Sequence, residues 1–172
     1  HCAASRWVGS ARSPQNRRMP SPRLLVGRHS CADAVYAVTS VVQGRVPLFT
    51  VDRLAHVVAE ELTRCHDEHR VENLAWIVMP DHVHWLFQLK EGTLAASVQA
   101  FKSRAVRRIN GMRGTSGLVW QAGYYEHRVR GDEDVSAQAR YIVANPQRCG
   151  MVDRMADYPH WYCAWASGEA DL

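Results

Sequence analysis

The stretch Leu74-Ala-Trp-Ile-Val-Met-Pro-Asp-His-Val-His-Trp-Leu-Phe-Gln-Leu89 leaves this chain few choices of fold. Two strand-like apolar runs separated only by Pro80-Asp81 predict an antiparallel hairpin. In its second strand Val83, Trp85, Phe87 and Leu89 alternate with His82, His84, Leu86 and Gln88. One row therefore faces a core while the other carries both imidazoles on a single side of the sheet. The two side chains start roughly 7 Å apart, a spacing that suits a shared metal ion as well as ordinary hydrogen bonding.

The other elements follow from periodicity. Val35 to Val42 reads as a first strand, with Pro47 in the connection after it. From Asp52 to about Arg70, Leu54, Val57, Val58, Leu62 and Cys65 recur at helical spacing, which predicts an amphipathic helix with His56, His66 and His69 as ordinary surface residues. A second helix is expected from Leu94 to Asn110, with Leu94, Val98, Phe101, Ala105 and Ile109 inward and Lys102, Arg104, Arg107 and Arg108 largely outward. The glycine-rich segment Gly111 to Gly117 lacks the lysine and the strand-to-helix setting of a nucleotide-binding loop and reads as a flexible connection. Val119 to Arg130 predicts one or two short strands. The order strand, helix, strand, strand, helix, strand, helix describes an α+β domain, an antiparallel sheet with helices packed on it.

Asp132 to Pro146 opens with acids that suit a helix N-terminus and closes at a proline that stops the helix. Val135, Ala139, Ile142 and Val143 form its apolar stripe. Gln138, Tyr141 and Asn145 occupy another face, which places Tyr141 and Asn145 one turn apart. They read either as a nucleophile beside a metal ligand or as a packing residue beside a helix cap.

Charge is more informative when located than when summed. The net charge is only +4, yet 19 of the 21 basic residues are arginine, whose planar fork suits phosphates and stacks on bases. Residues 1–28 hold six arginines and no acid, and residues 101–130 hold seven basic residues against Glu126 alone. Such runs are commonly solvated faces, but two of them around a candidate site favour a polyanionic partner, with nucleic acid the natural candidate. A chain of 172 residues with 47% hydrophobic residues is long enough for one domain with a sizeable core. No apolar stretch approaches the roughly 20 residues of a membrane span. Five cysteines without a C-x-x-C pair fit reduced cytoplasmic thiols better than a disulfide framework.

Three separated segments, Asp81-His-Val-His84, Trp120-Gln-Ala-Gly-Tyr-Tyr-Glu-His-Arg128 and Ala139-Arg-Tyr-Ile-Val-Ala-Asn-Pro146, resemble in order and spacing the REP-associated tyrosine transposases. These are bacterial single-tyrosine HUH enzymes related to insertion-sequence transposases of the IS200 type. The resemblance runs from about Arg28 to Trp165. It implies a ferredoxin-like palm with a central antiparallel sheet, and metal-dependent cleavage and strand transfer of single-stranded DNA at repetitive extragenic palindrome hairpins. Tyr141 matches the nucleophile that forms a 5′-phosphotyrosine. His82, His84 and Asn145 match the ligands of a divalent cation, Mg²⁺ or Mn²⁺. No nucleotide cofactor and no membrane are implied, a cytoplasmic, nucleoid-associated bacterial protein is expected, and this branch is expected to act as a monomer, with a dimer the alternative.

On the same reading, Arg23, Arg28, Lys102, Arg104, Arg107, Arg108, Trp120, Tyr125, Arg128 and Arg130 are candidate DNA contacts. Residues 1–27 are expected to form a flexible basic arm, with residues 1–18 ahead of the start usual in the family, and residues 28–172 one catalytic domain with its aromatic tail packed back on it. Two other readings stay open: a hairpin-binding regulator without turnover, and an unrelated metal hydrolase that uses bound water and does not need Tyr141.

Overall fold

The expected hairpin forms as β2 (Val71–Met79) and β3 (His82–Leu89), joined through Pro80-Asp81. In the computed structural model, which describes residues 30–130 and 134–166, β3 is the middle strand of five. β1 (Val35–Val41) and β4 (Tyr125–Arg128) lie beyond it on one side, β2 and β5 (Trp161–Cys163) on the other, giving the order β4-β1-β3-β2-β5. All neighbouring strands are antiparallel. Without β5 this is the ferredoxin-like arrangement that the family resemblance implies.

β5 was not expected as a strand. Three residues are too few to display an alternation, and Trp161 and Tyr162 give only an aromatic signal. It pairs with β2, and the Tyr158 hydroxyl just before it donates to the Val78 carbonyl at 2.8 Å. Residues 158–163 therefore lie against the sheet.

Helices cover both faces. α1 (Asp52–Asp67) and α2 (Leu94–Arg113) sit on one side, where Leu54, Val58, Leu62, Phe101 and Ile109 close over Val83, Trp85 and Phe87. α3 (Val135–Val143) sits on the other, where Ala139, Ile142 and Val143 meet Ala75, Ile77, Met79 and Leu86. The hairpin is thus buried on both faces, with one row of β3 in each core.

Asn73, at a register shift between β2 and β3, ties the first layer together. Its amide donates to Leu62 O at 3.0 Å and accepts from Trp85 Nε1 at 2.8 Å. Its N–H reaches His66 Nδ1 at 3.3 Å, so His66 is a structural partner of the strand rather than a plain surface residue. α2 runs three residues beyond the expected Asn110. Gly111 is absorbed into the helix and Gly114, at φ 62°, supplies the left-handed cap instead. Cys31, Cys65 and Cys163 are not disulfide-bonded, whereas Cys149 is, unlike the reduced state expected of it.

Candidate active site

Cross-strand register decides which side of the sheet the histidines face. Residues directly opposite in neighbouring strands project to the same face. His84 stands between Thr39 of β1 and Ile77 of β2, and His82 between Val41 and Met79. Ile77 and Met79 belong to the core under α3. Both imidazoles therefore share a side with α3, away from α1 and α2. Extending the row outward, Thr39 is opposite Tyr125 of β4, and Ile77 opposite Trp161 of β5.

The two rings converge. His82 Nε2 and His84 Nε2 are 3.1 Å apart, in rings set nearly perpendicular at 82°. Both residues are buried, 3% and 7% exposed. Each remaining nitrogen is held from behind, His82 Nδ1 by Asp81 Oδ1 at 2.6 Å and His84 Nδ1 by Thr39 Oγ1 at 2.8 Å. Asp81 is braced in turn by Arg45 at 3.1 Å.

These contacts fix what each ring can do. An ionised carboxylate only accepts, so His82 carries its proton on Nδ1 and turns a bare lone pair toward His84. The Thr39 hydroxyl both donates and accepts, so it suits either tautomer of His84. In one, His84 Nε2–H donates to His82; in the other both Nε2 lone pairs face a common point. Two nitrogens bound to one cation at about 2.0–2.1 Å are roughly 2.8–3.4 Å apart for angles between a right angle and tetrahedral. The residues fit a shared divalent cation, with Asp81 and Thr39 in the orienting role that carboxylates and hydroxyls play behind metal-bound imidazoles.

Burial pulls the His82 imidazole below its ordinary value, against the opposing hydrogen bond and charge of Asp81. Burial, helped by His82, brings His84 down to about 3. Burial acts to raise the Asp81 carboxyl, but the hydrogen bonds and charges of His82 and Arg45 outweigh it and hold the group below its usual range. Both imidazoles are therefore neutral at physiological pH, the state a metal ligand requires.

Among the described residues, a third donor to such a cation would come from another residue type. Among the described residues no group of three or more His, Cys, Asp and Glu side chains forms a metal cluster. Asn145 begins the short helix α4 (Asn145–Arg148), and its Nδ2 donates to Ile142 O at 2.8 Å. That carbonyl is the one Pro146, lacking an N–H, cannot bond four residues on. Asn145 thus repairs the break its neighbour causes, and because a carbonyl only accepts, the bond fixes which way the amide points. Its Oδ1 lies outside this bond. Tyr141 is half-buried on α3, with the Arg148 guanidinium over its ring.

The family model for IS200-like transposases matches residues 30–145, which takes in the hairpin, the β4 segment, Tyr141 and Asn145. The chain belongs to the IS200-like transposase family. Among its curated relatives, a Haemophilus influenzae protein named as a REP-associated tyrosine transposase is 26% identical over 137 residues, covering 73% of this chain and 77% of the relative. The REP-associated tyrosine transposase of Escherichia coli is 32% identical over 87 residues, covering 49% of this chain and only half, 50%, of that protein. A solved structure of a REP-associated tyrosine transposase bound to a REP hairpin shares the fold, with a TM-score of 0.63 at 23% identity over 78% of this chain and 79% of that one.

Several expected DNA contacts of this transposase are otherwise engaged. Trp120 is only 4% exposed, bridged to Val42 and packed against Phe49 and Phe101, so it is a core residue and not a stacking surface. Arg104 binds the buried Glu61 at 2.7 Å and Glu68 at 3.0 Å, while Arg108 binds Glu61 at 2.9 Å and also Glu60. Lys102 donates to the carbonyls of Gln121 at 3.0 Å and Gly123 at 2.6 Å, and burial brings its ammonium down to about 8. The basic side expected of α2 is thus largely folded into the protein, with Arg107 left exposed.

The exposed candidates on β4 and after it are Tyr125, Arg128 and Arg130. Arg23 and Arg28 lie outside the described residues. Asp81 and Thr39 were not among the expected site residues. The Asp81-His82 adjacency was a readable signal for the first, whereas Thr39 is visible only through register.

Proposed function

We propose that this IS200-like transposase cleaves and rejoins single-stranded DNA at palindromic hairpins through a 5′-phosphotyrosine on Tyr141, with Mg²⁺ or Mn²⁺ held by His82, His84 and Asn145. The observation that carries the reading is the convergence of two neutral, buried imidazole nitrogens at 3.1 Å on the face that α3 covers. When bound, a divalent cation neutralises charge developing on the scissile phosphate and helps to orient it. Asp81 and Thr39 hold the imidazoles in the binding orientation, and Asn145 is held by its bond to Ile142.

The Tyr141 oxygen attacks phosphorus in line, the bond to the 3′ oxygen breaks, and the released strand ends in a 3′ hydroxyl. The ester retains the energy of the broken bond, so attack by a 3′ hydroxyl runs the reaction backward and joins strands without ATP. Tyr125, 55% exposed and in the same cross-strand row as His84, offers a platform for a base beside the site. Hairpin DNA is favoured because a structural relative is described with a REP hairpin bound. A single chain suffices in this reading, since α3 packs on its own sheet. The two named relatives are bacterial, which suits a nucleoid-associated role in the cytoplasm.

The test is incubation of the protein and Mn²⁺ with a labelled single-stranded hairpin from the DNA flanking the coding sequence, followed by a denaturing gel. The expected result is a protein–DNA adduct and cleaved strand, both lowered at least about 10³-fold by Tyr141→Phe. Cleavage that survives Tyr141→Phe supports the water-using hydrolase instead, and binding with neither adduct nor cleavage supports the regulator.

A further inference from the structure

Seven residues beyond the proposed nucleophile, the guanidinium carbon of Arg148 stands 4.4 Å from the centroid of the Tyr141 ring. The helical path explains the meeting. Tyr141, Asn145 and Arg148 follow at steps of four and three, so they form one stripe. Pro146 does not divert it, because Ala144 keeps a helical conformation (φ −72°, ψ −1°) and Arg148 N donates to Ala144 O at 3.0 Å. Helical side chains lean toward the N-terminus, which sends the long arginine back over the tyrosine.

The partners of this arginine differ from those of the other central arginines. Arg104 and Arg108 are bound to Glu61 and its neighbours. Arg148 is exposed, and among the described residues no carboxylate pairs with it. The neutral face of a ring satisfies its charge only weakly, and its planar fork matches two oxygens of a phosphate.

We propose that Arg148 is the phosphate-binding residue of the strand-transfer step, held ready on the face of the nucleophile's own ring. The inference rests on the proposed role of Tyr141. In that step the bond from the Tyr141 oxygen to phosphorus forms, the bond from phosphorus to the 3′ oxygen breaks, and the phenolic proton ends on the released 3′ oxygen. The non-bridging oxygens of the resulting phosphotyrosine then lie beside a guanidinium that is already in place. The same contact serves the reverse attack by a 3′ hydroxyl, so cleavage and joining depend on Arg148 alike.

Single-turnover adduct formation on the labelled hairpin with Mn²⁺ is compared for the wild type, Arg148→Ala and Arg148→Lys, alongside the hairpin affinity of each. Arg148→Ala is expected to slow adduct formation about 100-fold with hairpin affinity and urea midpoint unchanged. Arg148→Lys restores part of the rate, and free guanidinium ion accelerates the alanine variant but not the wild type. A wild-type rate in Arg148→Ala overturns the proposal. So does a lost rate that neither lysine nor guanidinium restores, which marks a structural role. No adduct from the wild type overturns the proposed function and this inference with it, whereas a wild-type adduct with an indifferent Arg148 overturns this inference alone.

Discussion

On the α1/α2 side of the sheet, buried charge is cancelled by opposite charge: Glu61, 1% exposed, lies between Arg104 and Arg108. On the α3 side two buried imidazoles face one another with Nε2 atoms 3.1 Å apart and, among the described residues, the carboxylate bonded to them is Asp81, behind His82. The first arrangement is complete within the fold. In the function proposed above, a cation completes the second. One sheet therefore carries a layer whose polar groups hold helices together and a layer whose convergent imidazoles are, in our proposal, arranged for a ligand. Basic residues in sequence thus do not by themselves mark a nucleic-acid surface; what they are paired with decides it.

Breaking the first layer should give the largest effect. Glu61→Ala leaves the partly buried Arg104 without its closest carboxylate, although Glu68 still pairs with it. A loss of about 3 kcal/mol in unfolding free energy is expected, the low end for a broken buried pair. Urea denaturation measures it, and Mn²⁺ affinity below the unfolding transition should stay at the wild-type value. A loss of Mn²⁺ affinity with little loss of stability would reverse the roles assigned to the two layers.

Breaking the support of the second layer should act on the cation and not on the fold. Asp81→Asn keeps the shape but replaces an obligate acceptor by an amide, which weakens control of the His82 tautomer. Mn²⁺ affinity is expected to fall about 10- to 100-fold, read by calorimetric titration, with a urea midpoint close to that of the wild type. Unchanged affinity would show that Asp81 serves the β2–β3 turn alone.

Smallest per unit step is a pH dependence. His84 titrates at about 3 in the fold against an ordinary 6.5, so between those values the unfolded chain holds a proton that the folded chain lacks. Stability is unaffected above pH 6.5 and declines as pH falls toward 3, by at most about 1.4 kcal/mol per unit from this group. His82 and Asp81, also lowered, act with the same sign. Urea midpoints of the cation-free wild type and of His84→Ala across this range measure the slope. The variant should show the shallower one, and parallel slopes would contradict the burial assigned to His84.

The hairpin, α1 and the apolar stripe of α3 were legible because each displays a period: two in β3, and helical spacing in Leu54-Val58-Leu62 and Ala139-Ile142-Val143. The histidine pair was legible for the same reason. Trp120 was not, because an aromatic residue in a short irregular segment has no period to say which way it faces. Arg104 and Arg108 read as outward-facing because their partners, Glu60, Glu61 and Glu68, lie on or just past another helix some forty residues earlier, and sequence spacing describes neighbours on one helix only. Thr39 escaped for a related reason, since its pairing with His84 depends on strand register. Arg148 lay one step beyond the Tyr141-Asn145 pair, hidden by a proline that was expected to end the helix and does not divert it.

The central claim is that the convergent histidines form a cation site on the α3 side of the sheet. Its most direct test is Mn²⁺ titration of the wild type and His84→Ala, followed by electron paramagnetic resonance of free Mn²⁺ and by calorimetry. The account predicts one Mn²⁺ per wild-type chain and a loss of affinity in His84→Ala larger than that in Asp81→Asn. Equal Mn²⁺ affinity in wild type and His84→Ala would contradict it.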